Sequence, residues 1–134
     1  MSGLTNHAED LLITFLLTTT AVTRPTAWFV ELHDGDPGET GADNKITIAD
    51  DADYVRKAVT FANPVAGSGQ CLNDAQVTWT VASDSPGYQV SHASIWDAVT
   101  AGNCLFKGRL QASRTFAAND VQSFNVGEIV GALD

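Results

Sequence analysis

Between His92 and Leu110 apolar and polar residues alternate along two arms. On the first arm Ala93, Ile95 and Asp97 alternate with His92, Ser94 and Trp96. On the second, Leu105, Lys107 and Arg109 alternate with Phe106, Gly108 and Leu110. A period of two marks strands with one buried and one wet face. The arms, His92–Asp97 and Cys104–Leu110, flank Ala98-Val99-Thr100-Ala101-Gly102-Asn103. That segment predicts a β-hairpin whose loop is a little longer than the minimal two-residue type.

Near the N-terminus the period changes. Ala8, Leu11, Leu12, Phe15 and Leu16 recur at helical spacing, which predicts an amphipathic helix over about residues 5–18. Asn6 is its expected cap, with Glu9 as the reciprocal partner. The β-branched run Thr18-Thr19-Thr20 and then Arg24-Pro25 end it. Ile13 and Leu17 widen the apolar surface beyond one stripe. Packing under the chain's own sheet is the expected arrangement; the alternative leaves one side for another subunit.

Further strands are predicted at Ala27–His33, Tyr54–Phe61, Ala75–Val81, Arg114–Ala117 and Val121–Val126. Val77, Trp79 and Val81 share one face of the third of these. Turn chemistry separates them at Asp34–Gly41, Pro64–Gly69 and Ser83–Gly87. Trp28, Trp79 and Trp96 each alternate with polar neighbours and read as core. No internal repeat or linker interrupts the pattern. The expectation is a single domain over residues 1–134, mainly β: the helix at about 5–18, then an antiparallel β-sandwich, jelly-roll or Ig-like, over about 27–134.

Composition narrows the partners. A chain of 134 residues can bury a core without staples. Its 16 acids against 7 bases give a net charge of −9, which disfavours nucleic acid and anionic membrane surfaces. The apolar run Leu11–Leu17 is about as long as a signal-peptide core. Glu9 and Asp10 stand where such a signal carries positive charge, and the run is too short to span a bilayer. Secretion by the usual route is not expected.

Candidate chemistry is sparse. Asp34, Asp36, Glu39, Asp43, Asp50, Asp51 and Asp53 lie in one polar loop, 34–53. Calcium takes about six to eight oxygens, and Asp34–Glu39 departs from the EF-hand pattern at its fifth and sixth positions. A solvated loop is expected there, with Asp50→Asn and Asp51→Asn near neutral; a structural calcium is the alternative. Cys71 and Cys104 show no zinc spacing. Free buried thiols are the default, and a disulfide between them stays open. His33 beside Asp34, and His92 near Asp97, invite an acid–base reading, but no nucleophile, base and orienting acid are recognisable together. Gly67-Ser68-Gly69 lacks the spacing of a nucleophile elbow. No catalytic, cofactor-binding or metal residue is therefore assigned.

The bases Arg24, Arg56, Lys57, Lys107, Arg109 and Arg114 lie on or beside predicted strands. Arginine on a sheet face suits a partner's carboxylates, although pairing with this chain's own acids is the commoner arrangement. Arg56, Arg109 and Arg114 are the candidate anchors of a partner interface, together with Leu12, Phe15 and Leu16 of the helix.

Several segments follow one another in an order that resembles a known family. They are Thr23-Arg24-Pro25 with Leu32-His33 and Asp36-Pro37-Gly38-Glu39 before Gly41, then Tyr54, Arg56 and Val59-Thr60-Phe61. Asn73 with Val77-Thr78-Trp79, the hairpin His92–Leu110, and Asn119-Asp120, Phe124 and Leu133-Asp134 complete the order. Together they resemble small virion proteins of tailed bacteriophages, labelled tail-fibre or head-decoration proteins. The resemblance implies a structural protein without enzymatic activity or cofactor. Its leading form is a capsid decoration (cement) protein that binds and stabilises the assembled shell. The partners implied are the major capsid protein and copies of itself, with no nucleic acid and no membrane. The implied location is the capsid surface of a virion assembled in the host cytoplasm. Absence of a repetitive shaft and binding of an assembled shell by mass action favour that form. A tail-fibre or tail-tip adaptor that binds tail proteins or the host surface is the alternative. A hydrolase using His33 or His92 is the third class.

Overall fold

The predicted hairpin is the spine of the structure. In the computed structural model, which describes residues 3–133, β6 (Tyr88–Trp96) and β7 (Cys104–Phe116) pair over most of their length. Around them lies a five-stranded antiparallel sheet in the order β1-β7-β6-β2-β3, with β1 at Gly3–Leu4, β2 at Trp28–His33 and β3 at Lys57–Val59. The register sets Val30 opposite Ile95, and Ile95 opposite Phe106. Met1, Ser2 and Asp134, the last residue of the C-terminal motif, fall outside the described residues.

Over one face of this sheet lie two antiparallel ribbons. One pairs β4 (Gln70–Leu72) with β9 (Val130–Ala132), and the other pairs β5 (Val77–Thr80) with β8 (Val121–Phe124). The molecule is thus mainly β and antiparallel, with one N-terminal helix and a second layer made of two ribbons. Val30, Leu32, Val90 and Ile95 from the sheet meet Trp79 and Phe124 from the ribbons. Trp79 is 1% exposed, stands edge-on to Phe124 at 5.8 Å, and donates its indole N–H to the Val55 carbonyl at 2.9 Å. The shared face read for Val77, Trp79 and Val81 is observed, since all three are buried.

The other face of the sheet is not wet, contrary to the alternation. Glu31, His33, Ser94 and Trp96 point away from the core cluster, yet all are buried. Loop 34–46 covers this face: Ile46 N–H donates to the Leu32 carbonyl, and Asp34 N–H to that of Asn44. Gly41 makes the cover close. Its φ is +73°, and a Cβ there would run into the side chains of Cys104 and Trp96.

Local differences from the expected elements have identifiable causes. The strand expected over Tyr54–Phe61 forms only at β3. Before it, Tyr54 turns inward and its hydroxyl accepts the Leu32 N–H at 2.7 Å, so a side chain replaces the ladder. The segment Arg114–Ala117 is not a separate strand, because β7 continues through Arg114 to Phe116 after a bulge. His92 faces Arg109 while Val90 faces Arg114, so residues 110–113 arch out of the ladder.

The helix, α1, runs Asn6–Leu17, and its cap is Thr5 rather than Asn6. Thr5 is fully buried, its hydroxyl accepting from Ala8 N–H at 3.5 Å and donating to the Cys104 carbonyl. Its backbone N–H donates to the Leu105 carbonyl at 3.2 Å. With Thr5 as the cap the reciprocating position falls on Ala8, which has no carboxylate, and the Asn6 N–H that Glu9 was expected to meet donates to the Glu39 carbonyl at 3.3 Å.

Candidate functional site

Along one stripe of α1 the exposure climbs from end to end. Ala8 is 7% exposed, Leu11 and Leu12 are half-buried, and Phe15 is 65% exposed, although all four face the same way. The expectation of packing under the chain's own sheet therefore holds only for the first turns. The helix is pinned by Thr5 at the β1–β7 edge, and its last turn overhangs that edge. Ile13, Leu16 and Leu17 extend this end around the helix at 56%, 63% and 79% exposed. Complete burial of one such side chain contributes about 1.5–3 kcal/mol, so a partner covering this end has several kcal/mol to gain. Of the three helix residues assigned to an interface, Phe15 and Leu16 are open and Leu12 is half-covered by its own chain.

The three candidate arginines occupy different situations. Arg56 is not exposed. Its Nε donates to the Glu31 carboxylate, and its Nη1 to the carbonyls of Ala98 and Ala101 at 2.9 and 2.8 Å. The guanidinium lies 3.7 Å over the Trp96 ring. This arginine ties the hairpin loop to the sheet, and its Nε and Nη1 donors are spent within the chain. Arg114 is largely committed too, lying 4.1 Å over Phe124 and donating to the Ser123 carbonyl at 2.7 Å and to Glu128 at 3.4 Å. Arg109 is exposed and makes no hydrogen bond or ion pair among the described residues. It stands at a cleft of about 450 Å³ opened by the β7 bulge, whose walls include Leu110, Phe124, Ile129 and Val130.

A second hollow, of about 460 Å³, opens between the sheet and the loop around residues 64–70. Trp28, Phe61, Val65, Cys71, Ile95 and Phe106 contribute to its lining, and among the described residues no charged side chain does. The sequence shows this loop only as Pro/Gly-rich; the apolar wall behind it comes from strands far away in the chain.

The polar side chains most suggestive of catalysis lie under loop 34–46. His33 Nδ1 donates to the Asp43 carbonyl at 2.9 Å, which leaves Nε2 to accept from the Ser94 hydroxyl at 2.7 Å. Ser94 Oγ in turn accepts the Trp96 indole N–H at 2.8 Å. Both His33 and Ser94 are sealed from solvent. Glu31 approaches Nε2, at 4.0 Å, not the Nδ1 side from which an acid orients a catalytic imidazole. Burial holds the His33 pKa below its usual value. His92 meets Ser91 at 2.8 Å, and Asp97 instead binds Asn103 across the hairpin loop.

The acidic loop is only partly solvated. Asp51 is 1% exposed and accepts from Ala82 N–H, Asp53 N–H and the Tyr88 hydroxyl, at 3.1, 3.1 and 2.9 Å. This burial contradicts the solvated placement on which the near-neutral effect expected of Asp51→Asn rested. Asp50 accepts from Thr47 N–H and Oγ1, while Asp36 and Glu39 pair with Lys107. Among the described residues no three His, Cys, Asp or Glu side chains are grouped to hold a metal ion. Cys71 and Cys104 are both free thiols, and burial pushes the Cys104 pKa up to about 12.

Comparison with known proteins adds a family. Residues 3–132 match the model of a family described as Podophage GP4 fiber I protein gp80. Among curated proteins none matches the chain.

Proposed function

We propose that this chain, which belongs to the podophage GP4 fiber I protein gp80 family, is a structural component of a phage particle that works by docking and not by chemistry. The observation that carries this reading is the overhanging end of α1, where Ile13, Phe15, Leu16 and Leu17 are open to solvent. Four neighbouring apolar side chains exposed on one helix end form a contact awaiting its other half. Arg109 is a second docking point, a free guanidinium suited to a partner's carboxylate. The histidines support no turnover in this reading, because His33 is sealed and the His92 ring hydrogen-bonds only Ser91 among the described residues.

The family's name favours a place in the fibre apparatus. A capsid decoration protein bound to the major capsid protein is the second reading, since the exposed end of α1 suits a shell subunit as well as a tail protein. Counting copies per particle by quantitative mass spectrometry separates the two. A number matching the capsid lattice supports decoration, and a number matching the tail's few attachment points supports a fibre component. Absence of the protein from purified particles would sink both.

A further inference from the structure

The overhang of α1 and the apolar hollow beside residues 64–70 are two halves of one contact. We propose that the last turn of α1 in one copy seats in that hollow on the next copy, so that copies join head to tail. This rests on the docking role proposed for α1 and names its partner as a second copy of this chain.

Three observations favour that occupant. The first is charge. Two copies of a chain with net charge −9 repel, which favours a contact at a patch where acids are absent. Ile13–Leu17 carries no charge, and neither does the lining of the hollow among the described residues. The acids of the helix, Glu9 and Asp10, stay in its first two turns, beside the parent body.

The second is shape. An apolar cavity of ~150 Å³ accepts a benzene. At about 460 Å³ the hollow has room for roughly three such groups, the count presented by Phe15, Leu16 and Leu17. No α1 residue lines the hollow within its own chain, so it is not filled in cis.

The third is the distribution of apolar residues around the helix. Ile13 and Leu17 lie away from the Ala8–Phe15 stripe. A helix end whose apolar side chains Phe15, Leu16 and Leu17 spread over roughly half its circumference or more calls for enclosure. Pairing two helices across a two-fold axis would cover one side of each, whereas a hollow surrounds the end. Knob and hollow are different patches, so the contact is heterologous and repeats into a ring or a filament. Because it involves little more than one helical turn, it is weak and concentration-dependent in solution.

The test uses the full chain and two substitutions at exposed positions, Leu16→Glu on the knob and Val65→Glu at the hollow. Those side chains are 63% and 77% exposed, and circular dichroism checks that each variant remains folded. Sedimentation over a concentration series should show the parent assembling and each variant at least about tenfold weaker, because the contact would bury a carboxylate. An equimolar mixture of the two variants should then form dimers and stop, since one good knob and one good hollow remain. A parent that stays monomeric, a Val65→Glu variant that assembles like the parent, or a mixture that gives no dimers overturns the head-to-tail contact. Rebinding of the parent to particles stripped of it is measured separately. Rebinding without self-association removes this inference and leaves the docking role standing.

Discussion

Glu31 Oε1 stands 4.0 Å from Nε2 of His33, buried and without a hydrogen-bond partner among the described residues. The neighbouring oxygen of the same carboxylate takes the Arg56 Nε–H. His33 is neutral in this arrangement: burial lowers its pKa from 6.5 more than the Asp43 carbonyl and the Glu31 charge raise it. The unfolded chain therefore binds a proton that the folded chain refuses. Stability rises with pH between the depressed folded value and 6.5, and falls as the solution is acidified through that window. Urea unfolding at pH 7.5 and pH 5.5 should show a clear loss at the lower pH. His33→Gln should flatten that slope, whatever it does to the absolute stability. An unchanged slope in the variant would place the titrating group elsewhere.

Arg56 and Arg109 look alike in the sequence, both basic residues on or beside strand-like runs, but their substitution should have opposite consequences. Arg56→Ala leaves the Glu31 carboxylate buried without its cation, a loss of about 3–5 kcal/mol. Arg56→Lys should recover only part of it, because one ammonium cannot reproduce the fork that reaches both Glu31 and the two loop carbonyls. Arg109→Ala should change stability by less than about 0.5 kcal/mol, as for surface positions generally. Its effect belongs to rebinding of stripped particles, and a parent-like variant there would remove Arg109 from the docking surface.

Asp51→Asn should destabilise by about 1–3 kcal/mol, because one side-chain oxygen is lost from a buried site built on three donated hydrogen bonds. Asp50→Asn should be milder, since Asp50 is half-buried and serves only the local turn at Thr47. Tyr88→Phe combined with Asp51→Asn should cost less than the sum of the two singles, as both sever the same bond. Chemical denaturation of the four chains measures this directly.

What sequence periodicity conveys and what it hides can be seen at individual positions. The alternation of Ala93 and Ile95 located the central hairpin, and Val77, Trp79 and Val81 located a ribbon strand, because those residues face the core whatever else the fold does. Periodicity says nothing of a second cover. Ser94 and His33 read as the wet face until loop 34–46 closes over them. Asp51 is indistinguishable from its solvated neighbours because its donors Ala82 and Tyr88 lie 31 and 37 residues away. Strands of two or three residues such as β1, β4 and β9 are too short to display a period at all. In α1 the apolar spacing was plain, but spacing cannot tell whether the chain's own sheet reaches far enough to cover it.

That last point divides the N-terminal segment into two parts with separable roles. Deleting the whole segment would confound them, because its start is structural. Gly3 and Leu4 extend the sheet along β7, and the Thr5 hydroxyl both caps α1 and holds the Cys104 carbonyl. Thr5→Val removes that cap in a fully buried site and should cost about 1–2 kcal/mol of stability. The far end of the helix carries no comparable load. Phe15→Ser, Leu16→Ser and Leu17→Ser together replace side chains that are 65%, 63% and 79% exposed. The melting temperature of that triple variant should stay within a few degrees of the parent, while its recovery on stripped particles and its self-association both fall. Thermal melts and rebinding, run on the same preparations, decide the matter. If the triple variant melts as early as Thr5→Val, the helix end is supporting the fold; if it melts normally and rebinds fully, the particle holds this protein by some other surface.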